Sequence, residues 1–78
     1  MTIYRILDGK QIFASDANEF VTNIRNSSMY PCNDMNAYMA EFAKRVYLLY
    51  GYSMQFNDAN EFLSELIRLN IVYIVPVN

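Results

Sequence analysis

The chain has 78 residues, 54% hydrophobic, 15% aromatic and only 18% charged, with six basic and eight acidic side chains giving a net charge of −2. A single cysteine excludes an intrachain disulfide, and the lack of any histidine removes the commonest general base and the commonest metal ligand together. The cations form no run or stripe, which disfavours nucleic acid as the main partner, and the longest apolar runs, 46–50 and 71–77, are far shorter than the ~20 residues that cross a bilayer.

One small domain, residues 1–78, is expected, close to the lower size limit for folding alone and held by dense apolar material rather than a disulfide or metal. The opening Met1-Thr2-Ile3-Tyr4-Arg5 lacks the basic-then-apolar layout of a signal peptide, so a cytoplasmic protein is the expectation, in keeping with the lone cysteine. Residues 2–7 and 10–15 are rich in β-formers and flank Asp8-Gly9, a pair that favours a two-residue type I′ turn. That turn pairs Leu7 with Lys10, Arg5 with Ile12 and Tyr4 with Phe13. It puts Tyr4, Ile6, Gln11 and Phe13 on one face and Ile3, Arg5, Leu7, Ile12 and Ala14 on the other. Both faces are mostly apolar. Helices are expected on the first, and a neighbouring element or a partner near the second.

A first helix opens at Asp16-Ala17-Asn18-Glu19-Phe20, and the same pentapeptide recurs as Asp58-Ala59-Asn60-Glu61-Phe62. In each, the Asp suits the N-cap and the Glu three residues on can reach back to the cap's own N–H. Ala17, Phe20, Val21 and Ile24 then recur at helical spacing, until Asn26-Ser27-Ser28 ends the pattern. Residues 27–33, with Pro31 and Cys32, read as a loop carrying two apolar side chains, Met29 and Tyr30. The second helix, 34–50, is capped by Asn33 or Asp34 and stopped by Gly51 in a left-handed conformation. Its core stripe is Met35, Met39, Phe42, Val46 and Leu49, broadened by Tyr38, Ala43 and Tyr50. Glu41 and Arg45 form an i,i+4 pair on the solvated side, and Lys44 and Arg45 lie in the half that the helix dipole favours for cations.

Residues 52–56 alternate Tyr52, Met54 and Phe56 with Ser53 and Gln55 and are expected as a third strand. The second pentapeptide opens a third helix with Ala59, Phe62, Leu63, Leu66 and Leu69 or Asn70 inward and Glu61, Glu65 and Arg68 in water. Residues 71–77 are apolar on both faces, which predicts a fourth strand inside the sheet, with Pro76 limiting pairing at its end. The repeated pentapeptide has two readings: a duplicated strand-plus-helix unit, 11–26 and 54–70, or a good capping box that arose twice.

Few residues point to chemistry. Cys32 has no histidine to activate it, although a helix N-terminus follows closely. Asp16, Glu19, Asp34, Glu41, Asp58, Glu61 and Glu65 are accounted for by caps and exposed helix faces, and two glycines cannot build a phosphate loop. No enzyme activity, cofactor or metal is expected. The tyrosines point outward instead. Tyr47, Tyr50 and Tyr52 surround the end of the second helix, and Tyr30 and Tyr38 flank its start; tyrosine is enriched at protein interfaces because it adds contact area with little rotamer loss.

The capped aromatic helix, the longer helix with Phe42-Ala43-Lys44-Arg45, the following Gly51, and Glu61-Phe62-Leu63-Ser64-Glu65-Leu66 before an apolar strand resemble small open reading frames of phages and plasmids. The resemblance implies an accessory protein that acts by binding; many such proteins inhibit a host enzyme or a defence complex, including CRISPR and restriction systems. The expected architecture is one α+β domain in the order β-β-α-α-β-α-β, a mainly antiparallel sheet with helices on one face. The expected function is a non-enzymatic inhibitor or adaptor using Tyr30, Tyr38, Tyr47, Tyr50 and Tyr52. The alternative is a homodimeric structural or regulatory protein joined through its second hairpin face.

Overall fold

A computed structural model describes residues 2–7, 9–27 and 34–76 and shows an α+β fold with a three-stranded antiparallel sheet and three helices. Strand β1 (Thr2–Ile6) is central, flanked by β2 (Gln11–Ala14) and β3 (Val72–Val75). Between β2 and β3 run α1 (Ala17–Asn26), α2 (Met35–Tyr50) and α3 (Ala59–Arg68).

The hairpin register differs by one residue from the two-residue turn. Tyr4 lies opposite Ile12 and Ile3 opposite Phe13, the Ile6 N–H donates to Lys10 O, and the Gly9 N–H donates to Ile6 O. The pairing of Ile6 with Lys10 leaves three residues between the strands, and Gly9 has φ 95°, the left-handed conformation that a three-residue hairpin loop needs. A slip of one residue exchanges the faces of one strand. Tyr4, Ile6, Ile12 and Ala14 now share the inner face, while Ile3, Arg5, Gln11 and Phe13 share the outer one. The inner grouping is the better solution because Ile12 and Ala14 enter the core and leave the polar Gln11 outside.

Two further expectations change. In place of a strand inside the sheet over 71–77, β3 is an edge strand paired, among the described residues, with β1 alone, and Val77 lies outside the described residues. The stretch 52–56 retains its alternation, with Met54 and Phe56 partly buried, but pairs with no strand, so the observed order is β-β-α-α-α-β. Its inward side chains find helices instead of a sheet: the Phe56 ring meets Phe62 of α3 edge-on at 5.0 Å.

Helices α1 and α3 are near replicas. Asp16 and Asp58 have the same extended backbone, and each accepts a hydrogen bond at 2.8 Å, from Glu19 N–H and Glu61 N–H. The glutamates reach back one residue further than the cap itself, accepting from Ser15 N–H at 3.1 Å and Asn57 N–H at 2.7 Å. Both helices bury the same four offsets, Ala17, Phe20, Val21 and Ile24 in one and Ala59, Phe62, Leu63 and Leu66 in the other. They lie against each other, α1 also against β2 and α3 also against β3. The likeness ends there. A paired strand precedes α1 but not α3, and the two helices terminate differently.

The end of α3 explains how the chain turns into β3. Asn70 sits at φ 61°, its N–H donates to Ile67 O at 3.0 Å, and the Ile71 N–H donates to Leu66 O at 2.9 Å. These are the two bonds of a Schellman motif, and the buried Ile71 and Leu66 supply its apolar contact. Because left-handed backbone is costly for residues other than Gly and tolerated by Asn, Asn70→Ala is expected to cost about 1 kcal/mol in urea unfolding while Asn70→Gly costs nothing. Asp16→Ala and Asp58→Ala are each expected to cost about 1 kcal/mol, and the double variant their sum, since each removes one cap on a separate helix.

Candidate protein interface

Helix α2 is the outer member of the fold. Its cap is Asp34, whose carboxylate accepts from Asn36 N–H at 3.3 Å, and it stops at Gly51, φ 75°, whose N–H donates to Tyr47 O at 2.9 Å. Its first three turns pack well. Tyr38, Met39 and Val46 are buried, α2 lies against α1, and the Phe42 ring meets Phe62 edge-on at 5.6 Å and Tyr38 at 6.2 Å. The Arg45 guanidinium lies over the same Phe42 ring at 5.6 Å instead of marking a purely solvated face with Glu41.

The last turn does not pack. Tyr47 is 59% exposed, Leu48 70% and Leu49 73%, with Tyr50 and Tyr52 also largely open. Four consecutive residues at about 100° each sweep the whole circumference of a helix, so no single neighbour can cover 47–50. Beyond Gly51 the chain folds back, and the Tyr52 ring stacks on Tyr50 with centroids 6.1 Å apart and planes 20° from parallel. The result is an uncharged apolar knob made of three tyrosines and two leucines.

The five tyrosines expected at an interface divide accordingly. Tyr47, Tyr50 and Tyr52 come together at the knob. Tyr38 is only 4% exposed and belongs to the core, because its position on α2 faces inward beside Met39 and Phe42. Tyr30, like Cys32, Met29 and Pro31, lies outside the described residues. Leu49 and Tyr50, expected in the core stripe, are on the surface: the stripe is valid only as far as α1 and α3 extend beneath it. Leu48 belongs to neither the expected core stripe nor the expected interface tyrosines, and the unbroken apolar run Val46-Tyr47-Leu48-Leu49-Tyr50 is the signal that points to it.

Most acidic groups among the described residues have structural partners. The capping carboxylates Asp16, Glu19, Asp58 and Glu61 are taken up by backbone N–H groups, and Glu65 accepts from Arg68 Nε at 2.8 Å. Among the described residues, no three of His, Cys, Asp and Glu gather as a metal site would need, and no helix is long and apolar enough to cross a membrane. The open depression beside α3 is lined by Gln55, Asn60, Glu61, Ser64, Glu65 and Arg68, and its two carboxylates are already engaged, Glu61 by the Asn57 N–H and Glu65 by Arg68. Comparison with protein families, with curated proteins and with solved structures finds no match.

The two kinds of tyrosine separate by stability. Tyr38→Ala is expected to cost about 3 kcal/mol or more through lost packing, whereas Tyr47→Ala and Leu48→Ala should fall within about 0.5 kcal/mol of the parent, as thermal or urea unfolding will show.

Proposed function

We propose that this chain is a non-enzymatic protein-binding module, an inhibitor or adaptor, that contacts its partner with the knob at the end of α2. The observation that supports this most strongly is the exposure of Tyr47, Leu48, Leu49, Tyr50 and Tyr52 together on one projecting turn and its return. Contiguous exposed apolar surface of this kind is unusual on a monomer and marks interaction sites. Burying one such side chain completely is worth about 1.5–3 kcal/mol, and association itself costs about 4–15 kcal/mol. One or two residues are therefore insufficient, and the knob has to enter an apolar groove of the partner with most of its side chains at once. The stacked Tyr50 and Tyr52 suit that role, since each brings a large ring with few rotamers to lose and a hydroxyl for the wet rim. A host enzyme or a defence complex such as CRISPR or restriction is the partner class that the resemblance to phage and plasmid reading frames suggests.

The test is to capture partners from a bacterial lysate and titrate any candidate against the parent chain and Leu48→Lys, Leu49→Lys and Tyr47→Ala/Tyr50→Ala variants. The expected outcome is a loss of about 30-fold or more in affinity for each, about 2 kcal/mol, with unfolding curves unchanged. A partner held with parental affinity by the Leu49→Lys and double tyrosine variants would reject the knob as the contact surface.

A further inference from the structure

A second feature of the molecule lies at the opposite kind of surface, the backbone of β3. Strand β1 uses alternate residues for its two neighbours. The Ile6 N–H donates to Lys10 O on the β2 side and the Leu7 N–H donates to Ile71 O on the β3 side. Carried through the β1–β3 register, this alternation turns the N–H and C=O of Tyr73 and Val75 toward β1 and those of Val72 and Ile74 away from it. Strand β3 has no strand neighbour on that side among the described residues.

The two sheet edges are treated differently. On β2 the same alternation turns Phe13 O outward, and the Asn23 side-chain amide donates to it at 2.7 Å. Helix α1, which carries Asn23, thus closes part of that edge. On β3 no hydrogen bond among the described residues engages the outward groups of Val72 and Ile74. The strand reads Val-Tyr-Ile-Val, without the lysine, inward charge or bulge that usually blocks an edge. Its side chains are also unfinished: Ile74 belongs to the inner face, yet it is 56% exposed, and Tyr73 is exposed on the outer face.

We propose that this edge pairs with the same edge of a second copy, antiparallel about a twofold axis through Tyr73, to form a continuous six-stranded sheet. The strand is its own complement in that register. Val72 of each copy exchanges N–H and C=O with Ile74 of the other, Tyr73 meets its counterpart across the axis on the outer face, and each Ile74 is covered by the other copy's Val72 on the inner face. Pro76 selects the register. Moving the axis to Ile74 would place Val72 opposite Pro76, which has no N–H to give. The absence of charge on β3 lets two copies approach without repulsion. A pairing this short predicts a weak dimer. It uses none of the knob residues on α2.

Sedimentation velocity across micromolar to submillimolar concentrations, with amide exchange, tests the proposal. Ile74→Pro deletes only an outward donor and leaves the β1–β3 bonds of Tyr73 and Val75 in place; Ile74→Lys adds a charge at the same edge without removing any backbone group. The expected result is a reversible monomer–dimer equilibrium for the parent, weakened about tenfold or more in both variants. The Leu49→Lys variant should dimerise like the parent. In the parent, exchange at Val72 and Ile74 should slow as concentration rises, while Tyr73 and Val75 stay protected throughout. A parent that is monomeric over the whole range, or one whose dimer survives Ile74→Lys, overturns the proposal. So does a dimer lost in Leu49→Lys alone, which would assign self-association to the knob.

Discussion

Phe20 and Phe62 occupy equivalent positions on two near-identical helices, both rings are fully buried, and the remainder of the fold is arranged around them. Each ring is delivered by the same device. An Asp cap and a Glu three residues later start the helix at a defined residue, which puts the Phe one turn in and facing the core. The rings then join different layers. Phe20 meets Tyr4 of β1 edge-on at 4.9 Å and ties α1 to the sheet, whereas Phe62 meets Phe42 and Phe56 and ties α3 to α2 and to the segment after it. Edge-on pairs of this kind add about 0.5–1.5 kcal/mol each beyond the area they bury. In a domain this small that is a considerable part of the net stability.

This arrangement also explains why so much apolar surface is left over. Ten-residue helices α1 and α3 supply a platform that covers the inner sheet face and the first three turns of α2. Helix α2 has sixteen residues and outruns the platform, so its last turn extends into solvent with no polar substitution to match. At the other side, Ile74 on the inner sheet face is largely open, and β3 has no second strand beside it among the described residues. Both surfaces arise from the same geometric fact, a core shorter than the elements that bound it. They differ in the chemistry they present, side chains in one case and backbone groups in the other.

Most of the elements could be read along the chain because their signals are local. Asp16, Asp34 and Asp58 act within one turn of themselves, Gly51 stops α2 through its own φ, and the expected inward residues of α1 and α3 are the buried ones, except that Leu69 and Asn70 fall past the end of α3 and outside its buried face. The errors fall where a residue's role depends on something distant. Asp8-Gly9 fits more than one loop length, and the register was settled by which face lets Ile12 and Ala14 reach the core. Residues 52–56 alternate as a strand would, but alternation cannot supply a partner strand, and helices took up Met54 and Phe56 instead. Tyr38 and Tyr47 are both tyrosines on one helix, and only the position of α1 and α3 beneath it makes the first a core residue and the second a surface one.

Local chemistry along the chain was thus enough to set the α+β class, the helix starts and the stop of α2 at Gly51, and it named Tyr47, Tyr50 and Tyr52 among five candidate tyrosines without separating them from the buried Tyr38. It also placed four consecutive apolar residues, Tyr47 to Tyr50, where no single neighbour can cover them. Strand order, hairpin register, the edge position of β3 and the exposure of Leu48, Leu49 and Ile74 came from packing. They depend on where the helix layer ends, a length in space that arises when α1 and α3 meet and that no window of sequence contains.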